Sequence, residues 1–126
     1  MANFAGREFF RADEFNHPDR MSNRLLSMLE IARKEAGVPF HITSDWREEG
    51  DGKSHHLGHA VDIRAKDSTT RAAVLRGAVL AGFVRIGVYY AVLEEGRHSG
   101  GHIHVDCNSA EDGFPQGVLW IGKSRR

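Results

Sequence analysis

The stretch His102-Ile-His-Val-Asp106 alternates polar and apolar side chains, the period of a β-strand with one wet face and one buried face. His102, His104 and Asp106 then share one face, and Ile103 and Val105 point into a core. Outward from it, Gly101–Asp106 and Val84–Tyr90 read as neighbouring strands, and Val118–Ile121 as a final one. Upstream, Phe40–Ser44 and Ala60–Arg64 are short strand candidates, separated by the polar, glycine-bearing loop Arg47–Lys53. Between Ser22 and Ala36, Leu25, Met28, Leu29, Ala32 and Ala36 recur at helical steps, with Ser22 as N-cap and Gly37 and Pro39 as the stop. A second helix is expected from Ser68 to Ala81, capped by Asp67 or Ser68, closed by Gly82, with Ala72, Leu75, Ala78 and Val79 as its buried stripe. Phe4, Phe9, Phe10 and Phe15 are expected to anchor the first twenty residues on the core. The later strands follow one another closely enough for antiparallel pairing. The expected fold is therefore α+β: a mostly antiparallel sheet with helices on one face.

Size and composition bound the function. At 126 residues the chain makes one domain, 1–126, with no repeat or linker to divide it. Forty per cent hydrophobic and 27% charged residues describe an ordinary globular protein. Seventeen basic residues balance seventeen acidic ones, so no strong attraction to nucleic acid or an anionic membrane surface is expected. No apolar run reaches the roughly 20 residues that span a bilayer. The start has no apolar signal segment, so synthesis in the cytoplasm without a signal peptide is expected. The single cysteine, Cys107, is expected to be a small buried or edge residue rather than a nucleophile.

Eight histidines in a chain this short is high, and five fall in two clusters: His55, His56 and His59, then His102 and His104. In the first cluster the small residues Gly58 and Ala60 let the chain turn closely before a strand bearing Asp62. One histidine and one carboxylate there, with one histidine from the other strand, make a three-ligand nitrogen and oxygen set. Such a set leaves a fourth tetrahedral position for water, the mark of a catalytic rather than a structural zinc site. Imidazole with carboxylate suits Zn²⁺ better than Ca²⁺ or Mg²⁺. Asp106 is expected to orient a neighbour or face solvent, and His59 to be a bystander.

The pattern His55-x-x-Gly58-x-Ala60-x-Asp62 followed by His102-x-His104 resembles the zinc murein peptidases, which include D-alanyl-D-alanine carboxypeptidases and the L-alanyl-D-glutamate endopeptidases of phage endolysins. Val38-Pro-Phe-His-Ile-Thr-Ser-Asp-Trp-Arg47 is similar to the family segment ending in an aromatic–arginine pair, and Ile86-Gly-Val-Tyr89 to the stretch before the His-x-His strand. The resemblance covers about residues 22 to 108. It implies a hedgehog/DD-peptidase-like domain in which His55, Asp62 and His104 bind Zn²⁺, His102 is the catalytic histidine and Arg47 holds a substrate carbonyl or carboxylate. It also implies a monomer acting on peptidoglycan stem peptides, released to the cell wall by another protein or carried on a virion.

Three positions depart from the family pattern. Lys53 stands where a serine precedes the ligand histidine; Ser54 and His56 restore that pairing but leave His56 one residue too close to Asp62, so His56 competes with His55. Gly101 stands where many relatives carry a glutamate base, and His102 fits the version that uses a histidine instead. Asp45 replaces a glycine. The alternatives are a non-catalytic zinc-binding domain on the same scaffold, favoured by Gly101, and a His-metal nuclease suggested by His55-His56.

Overall fold

A computed structural model describes residues 3–45, 58–92 and 98–123. Two helices, α1 (Asn23–Ala36) and α2 (Ser68–Leu80), accompany strands β1 (Ile42–Ser44), β2 (Ala60–Arg64), β3 (Arg85–Val92), β4 (His98–Asp106) and β5 (Val118–Lys123). The strands form one sheet in the order β1-β2-β4-β3-β5. The pairs β1–β2, β2–β4 and β4–β3 are antiparallel, and β5 lies parallel to β3. The architecture is a small α+β domain, as the alternation of the strands anticipates.

Local chemistry explains where the helices begin and end. The Ser22 side chain accepts the Leu25 N–H at 3.1 Å and caps α1, whose C-terminal Gly37 takes the left-handed conformation at φ 71°. Asp67 caps α2 by accepting the Thr70 N–H at 2.7 Å. Gly58, just before β2, has φ 74°, and a Cβ there would collide with the Arg20 carbonyl. Its own carbonyl accepts the Ser22 N–H at 2.9 Å, tying the start of α1 to the entry of β2.

The sheet has two unlike faces. Val61, Ile63, Ile86, Ile103 and Val105 are buried in one core with Leu25, Leu26 and Leu29 of α1 and Ala73, Val74 and Ala78 of α2. Burying each of the valine, leucine and isoleucine side chains contributes about 1.5–3 kcal/mol. The other face carries Asp62, His102, His104, Asp106, Arg85, Gly87, Tyr89, Trp120 and Gly122 by the strict alternation of the strands. The N-terminal segment extends the core: Phe10 and Phe15 are buried, Phe4 and Phe9 pack partly against them, and the Phe10 ring meets Phe40 at 6.3 Å.

The buried stripe of α2 differs from the expected one. Ala73, Val74, Gly77 and Ala78 are buried, whereas Ala72 is exposed, Leu75 half-buried and Val79 57% exposed. The helices meet through small residues: a Cβ on Gly77 would strike the Ala32 carbonyl and lie 2.9 Å from the Ala36 Cβ. Close backbone approach at Gly77 rotates α2 away from its larger apolar residues. Replacing glycine by alanine inside a helix ordinarily stabilises by about 1 kcal/mol. Gly77→Ala should instead destabilise this protein by about 1–3 kcal/mol, read from the midpoint of urea unfolding; a gain in stability would contradict this helix contact.

Candidate functional site

Register builds the site. Asp62 on β2 lies directly opposite His104 on β4, and His104 opposite Gly87 on β3, which in turn faces Trp120 on β5. One row of the sheet thus carries a carboxylate, an imidazole, an empty glycine position and an indole. Because Gly87 has no side chain, the Trp120 ring lies across it and reaches 5.5 Å from the His104 ring; a Cβ on Gly87 would sit 2.5 Å from the indole Nε1.

His104 is buried between two carboxylates. Its Nδ1 lies 3.1 Å from Asp62 Oδ1 and its Nε2 2.8 Å from Asp106 Oδ2. Asp106 is buried too: its Oδ1 accepts from Arg85 Nε at 2.7 Å and from the Asn108 N–H at 3.2 Å. The Arg85 guanidinium lies over the Phe114 ring and the Trp120 ring, and its NH1 donates to the Pro115 carbonyl at 2.8 Å. Asp106 therefore orients His104, one of the two roles its sequence position suggests.

A neutral imidazole has one N–H and one lone pair, but here both ring nitrogens face carboxylate oxygens. With Nε2–H donating to Asp106, the Nδ1 lone pair faces Asp62, an arrangement that a positive charge between them stabilises. A second proton supplies it in the metal-free protein. Burial opposes a charged His104, but the hydrogen bonds and charges of Asp106 and Asp62 outweigh it and raise its pKa from 6.5 to about 9. For Asp106 burial acts upward, and the hydrogen bonds and charges of His104 and Arg85 overcome it and hold the carboxyl below its ordinary value.

A metal ion can supply the same charge. Two ligands of a tetrahedral zinc stand roughly 3.3 Å apart at ordinary bond lengths, close to the 3.1 Å between Nδ1 and Oδ1. Donation of the other ring N–H to a carboxylate is the usual support for a metal-bound histidine. Asp62 and His104 therefore fit a metal, with Asp106 behind them. Among the described residues no three His, Cys, Asp or Glu side chains gather as a complete metal cage. The expected third ligand, His55, and its competitor His56 lie outside the described residues, as does Arg47.

His102 joins the same carboxylate: its Nε2 stands 3.9 Å from Asp62 Oδ2, an ion-pair distance too long for a hydrogen bond. Its neighbour Gly101 lies at a bulge, since Tyr89 faces His102 while Tyr90 faces Gly100. Asp45 is buried at the end of β1 and accepts from the His17 N–H at 2.8 Å, with His17 Nδ1 2.9 Å from its other oxygen. A carboxylate in place of the glycine thus ties the N-terminal segment to the sheet. His59 pairs its Nδ1 with Asn108 Oδ1 at 3.0 Å. Cys107 is buried, and burial pushes its thiol pKa up, which disfavours the nucleophilic thiolate.

Arg85, Tyr89 and Trp120 line the site without having been singled out as site residues from the sequence. The available signal was the spacing Arg85-x-Gly87-x-Tyr89, which sets a glycine between two large side chains on the polar face. Compared with models of protein families, with curated proteins and with solved structures, the chain matches none of them.

The clamp fixes a pH profile. His104, with its pKa raised, contributes stability fully below pH 6.5 and loses it as pH rises to about 9. Asp106, with its pKa lowered, contributes above its ordinary 3.8 and loses that as pH falls. Chelator-treated protein should therefore become easier to unfold by urea between pH 6.5 and 9, and His104→Gln should flatten that slope. Stability that is constant or rising over this window would contradict the two-carboxylate clamp.

Proposed function

We propose that the protein is a zinc-dependent peptidase that hydrolyses amide bonds in the stem peptides of bacterial peptidoglycan, as a D,D-carboxypeptidase or an endopeptidase. The observation that carries this reading is the pairing of Asp62 with His104 at 3.1 Å, backed by Asp106 and flanked by His102. Three of the residues that the murein-peptidase resemblance singles out thus stand together on one sheet face. His55 would complete the ligand set. Zinc in that setting would supply Lewis acidity toward the scissile carbonyl and a water acidified to a pKa of about 7.

The chain's own groups have separable tasks. Asp62 and His104 hold the cation. Asp106 keeps the His104 Nε2–H engaged, so the Nδ1 lone pair stays directed at the site. His102, 3.9 Å from Asp62, would take a proton from the attacking water and deliver it to the leaving amine, a task suited to imidazole. Arg47, on the murein-peptidase resemblance, would offer a planar, two-donor cation to the developing oxyanion or to a substrate carboxylate. An enzyme of this kind suits cell-wall breakdown during phage release, or delivery on a virion.

A second reading is favoured by Gly101, which has no side chain to serve as a glutamate base: a zinc-binding domain without hydrolytic activity on the same scaffold. Incubation with purified murein, with and without chelator, separates the two. We expect release of stem-peptide fragments that stops on chelation and returns with zinc.

Asp62→Ala and His104→Ala should abolish both zinc retention, measured by elemental analysis, and hydrolysis. His102→Ala should keep zinc and lose about 10²–10⁴-fold in kcat. Full activity in His102→Ala would remove its proton-transfer role. Of His55→Ala and His56→Ala, the first should lose zinc and the second retain it.

A further inference from the structure

The aromatic wall beside the metal ligands has a more specific role. Tyr89 and His102 are cross-strand neighbours, and their rings stack with centroids 4.5 Å apart and planes 11° from parallel. Tyr89 is itself held: the indole Nε1–H of Trp120 donates to its hydroxyl at 2.9 Å. Two glycines make room for this arrangement. A Cβ on Gly122, opposite Tyr89 on β5, would lie 2.6 Å from the Tyr89 ring, and one on Gly87 would strike the Trp120 indole. Each ring thus lies flat across an empty position on its neighbouring strand instead of standing up from the sheet.

The stack bears directly on how His102 meets Asp62. The bulge at Gly101 interrupts the ladder immediately before His102, whose own pairs with Arg64 and Tyr89 keep it on the polar face. Its Nε2 approaches Asp62 Oδ2 at 3.9 Å, an ion-pair distance. The face of Tyr89 keeps the imidazole from tilting out of its plane.

We propose that Tyr89 is a positioning residue for His102, fixing the plane of its imidazole against Asp62, and that Trp120 acts as the clamp on Tyr89. The catalytic consequence rests on the peptidase reading above; the positioning itself does not. In this role Tyr89 acts through His102. The hydroxyl serves only to receive the indole N–H, so phenylalanine should keep most of the effect and an aliphatic residue none.

The experiment combines a spectroscopic and a kinetic measurement on the zinc-loaded, full-length protein. A ring stacked on tyrosine is shielded, so the His102 ring-proton resonances, assigned by their loss in His102→Gln, should lie upfield of those of unstacked histidines. Tyr89→Leu should move them back downfield and Tyr89→Phe should not. Gly122→Ala, which keeps the tyrosine but fills the space its ring occupies, should act like Tyr89→Leu and guards against a folding defect in that variant. On murein peptides, Tyr89→Leu should lower kcat by about tenfold to a hundredfold, with KM changed by less than about twofold and zinc content unchanged, the pattern of a misdirected proton donor. Resonances of His102 unmoved in both Tyr89→Leu and Gly122→Ala would overturn the proposal. So would an unchanged kcat in an active enzyme that has lost the stack. A wild-type protein that shows the upfield resonances but hydrolyses no murein would refute the peptidase reading and leave the positioning role standing.

Discussion

A buried imidazole with a carboxylate on each nitrogen is the constraint around which the polar half of this protein is organised. Removing a charged group from water costs several kcal/mol, and it is tolerated only with charge partners and well-made hydrogen bonds. His104 meets that condition through Asp62 on one side and Asp106 on the other, and Asp106 meets it through Arg85. Arg85 in turn is spread over Phe114 and Trp120, and a second of its nitrogens donates to the Pro115 carbonyl. The chain of charges runs from β2 through β4 to β3, so the sheet must hold its register to the residue. A slip by one position would turn these polar side chains toward the helices and the core aliphatics toward water.

The two faces of the sheet do different work with the same strands. On the helix side, Val61, Ile63, Ile103 and Val105 are sealed beneath α1 and α2, which gives the site rigid backing. On the other side, side-chain size is graded rather than uniform: glycine at 87 and 122 where large rings must lie flat, carboxylate and imidazole where Asp62 meets His104. The close contact of α2 with α1 at Gly77 follows the same logic, with a missing side chain letting two backbones approach.

Much of this was legible in the sequence wherever the cause is local. The α1 caps at Ser22 and Gly37, the Asp67 cap of α2 and the limits of β2 follow from residue types within a few positions, and each stands where expected. The shared face of His102, His104 and Asp106 follows from strand period alone. The alignment of Asp62 with His104 is an interstrand register, which spacing within either strand cannot supply. The same holds for the parallel placement of β5 and for the wall made by Tyr89 and Trp120, both set by which strands become neighbours. The face of α2 escaped a count of apolar residues because Gly77, which decides it, scores as no hydrophobe.

At the centre stands the proposal that Asp62 and His104 share a divalent cation, with Asp106 behind the imidazole. Its most direct test is a crystal structure of the zinc-soaked protein with diffraction recorded at the zinc absorption edge. The account predicts one strong anomalous peak within about 2.0–2.2 Å of both Asp62 and His104 Nδ1, with His55 as a further ligand. A zinc-saturated crystal with no peak at that position, and His104 still hydrogen-bonded on both sides, would contradict it.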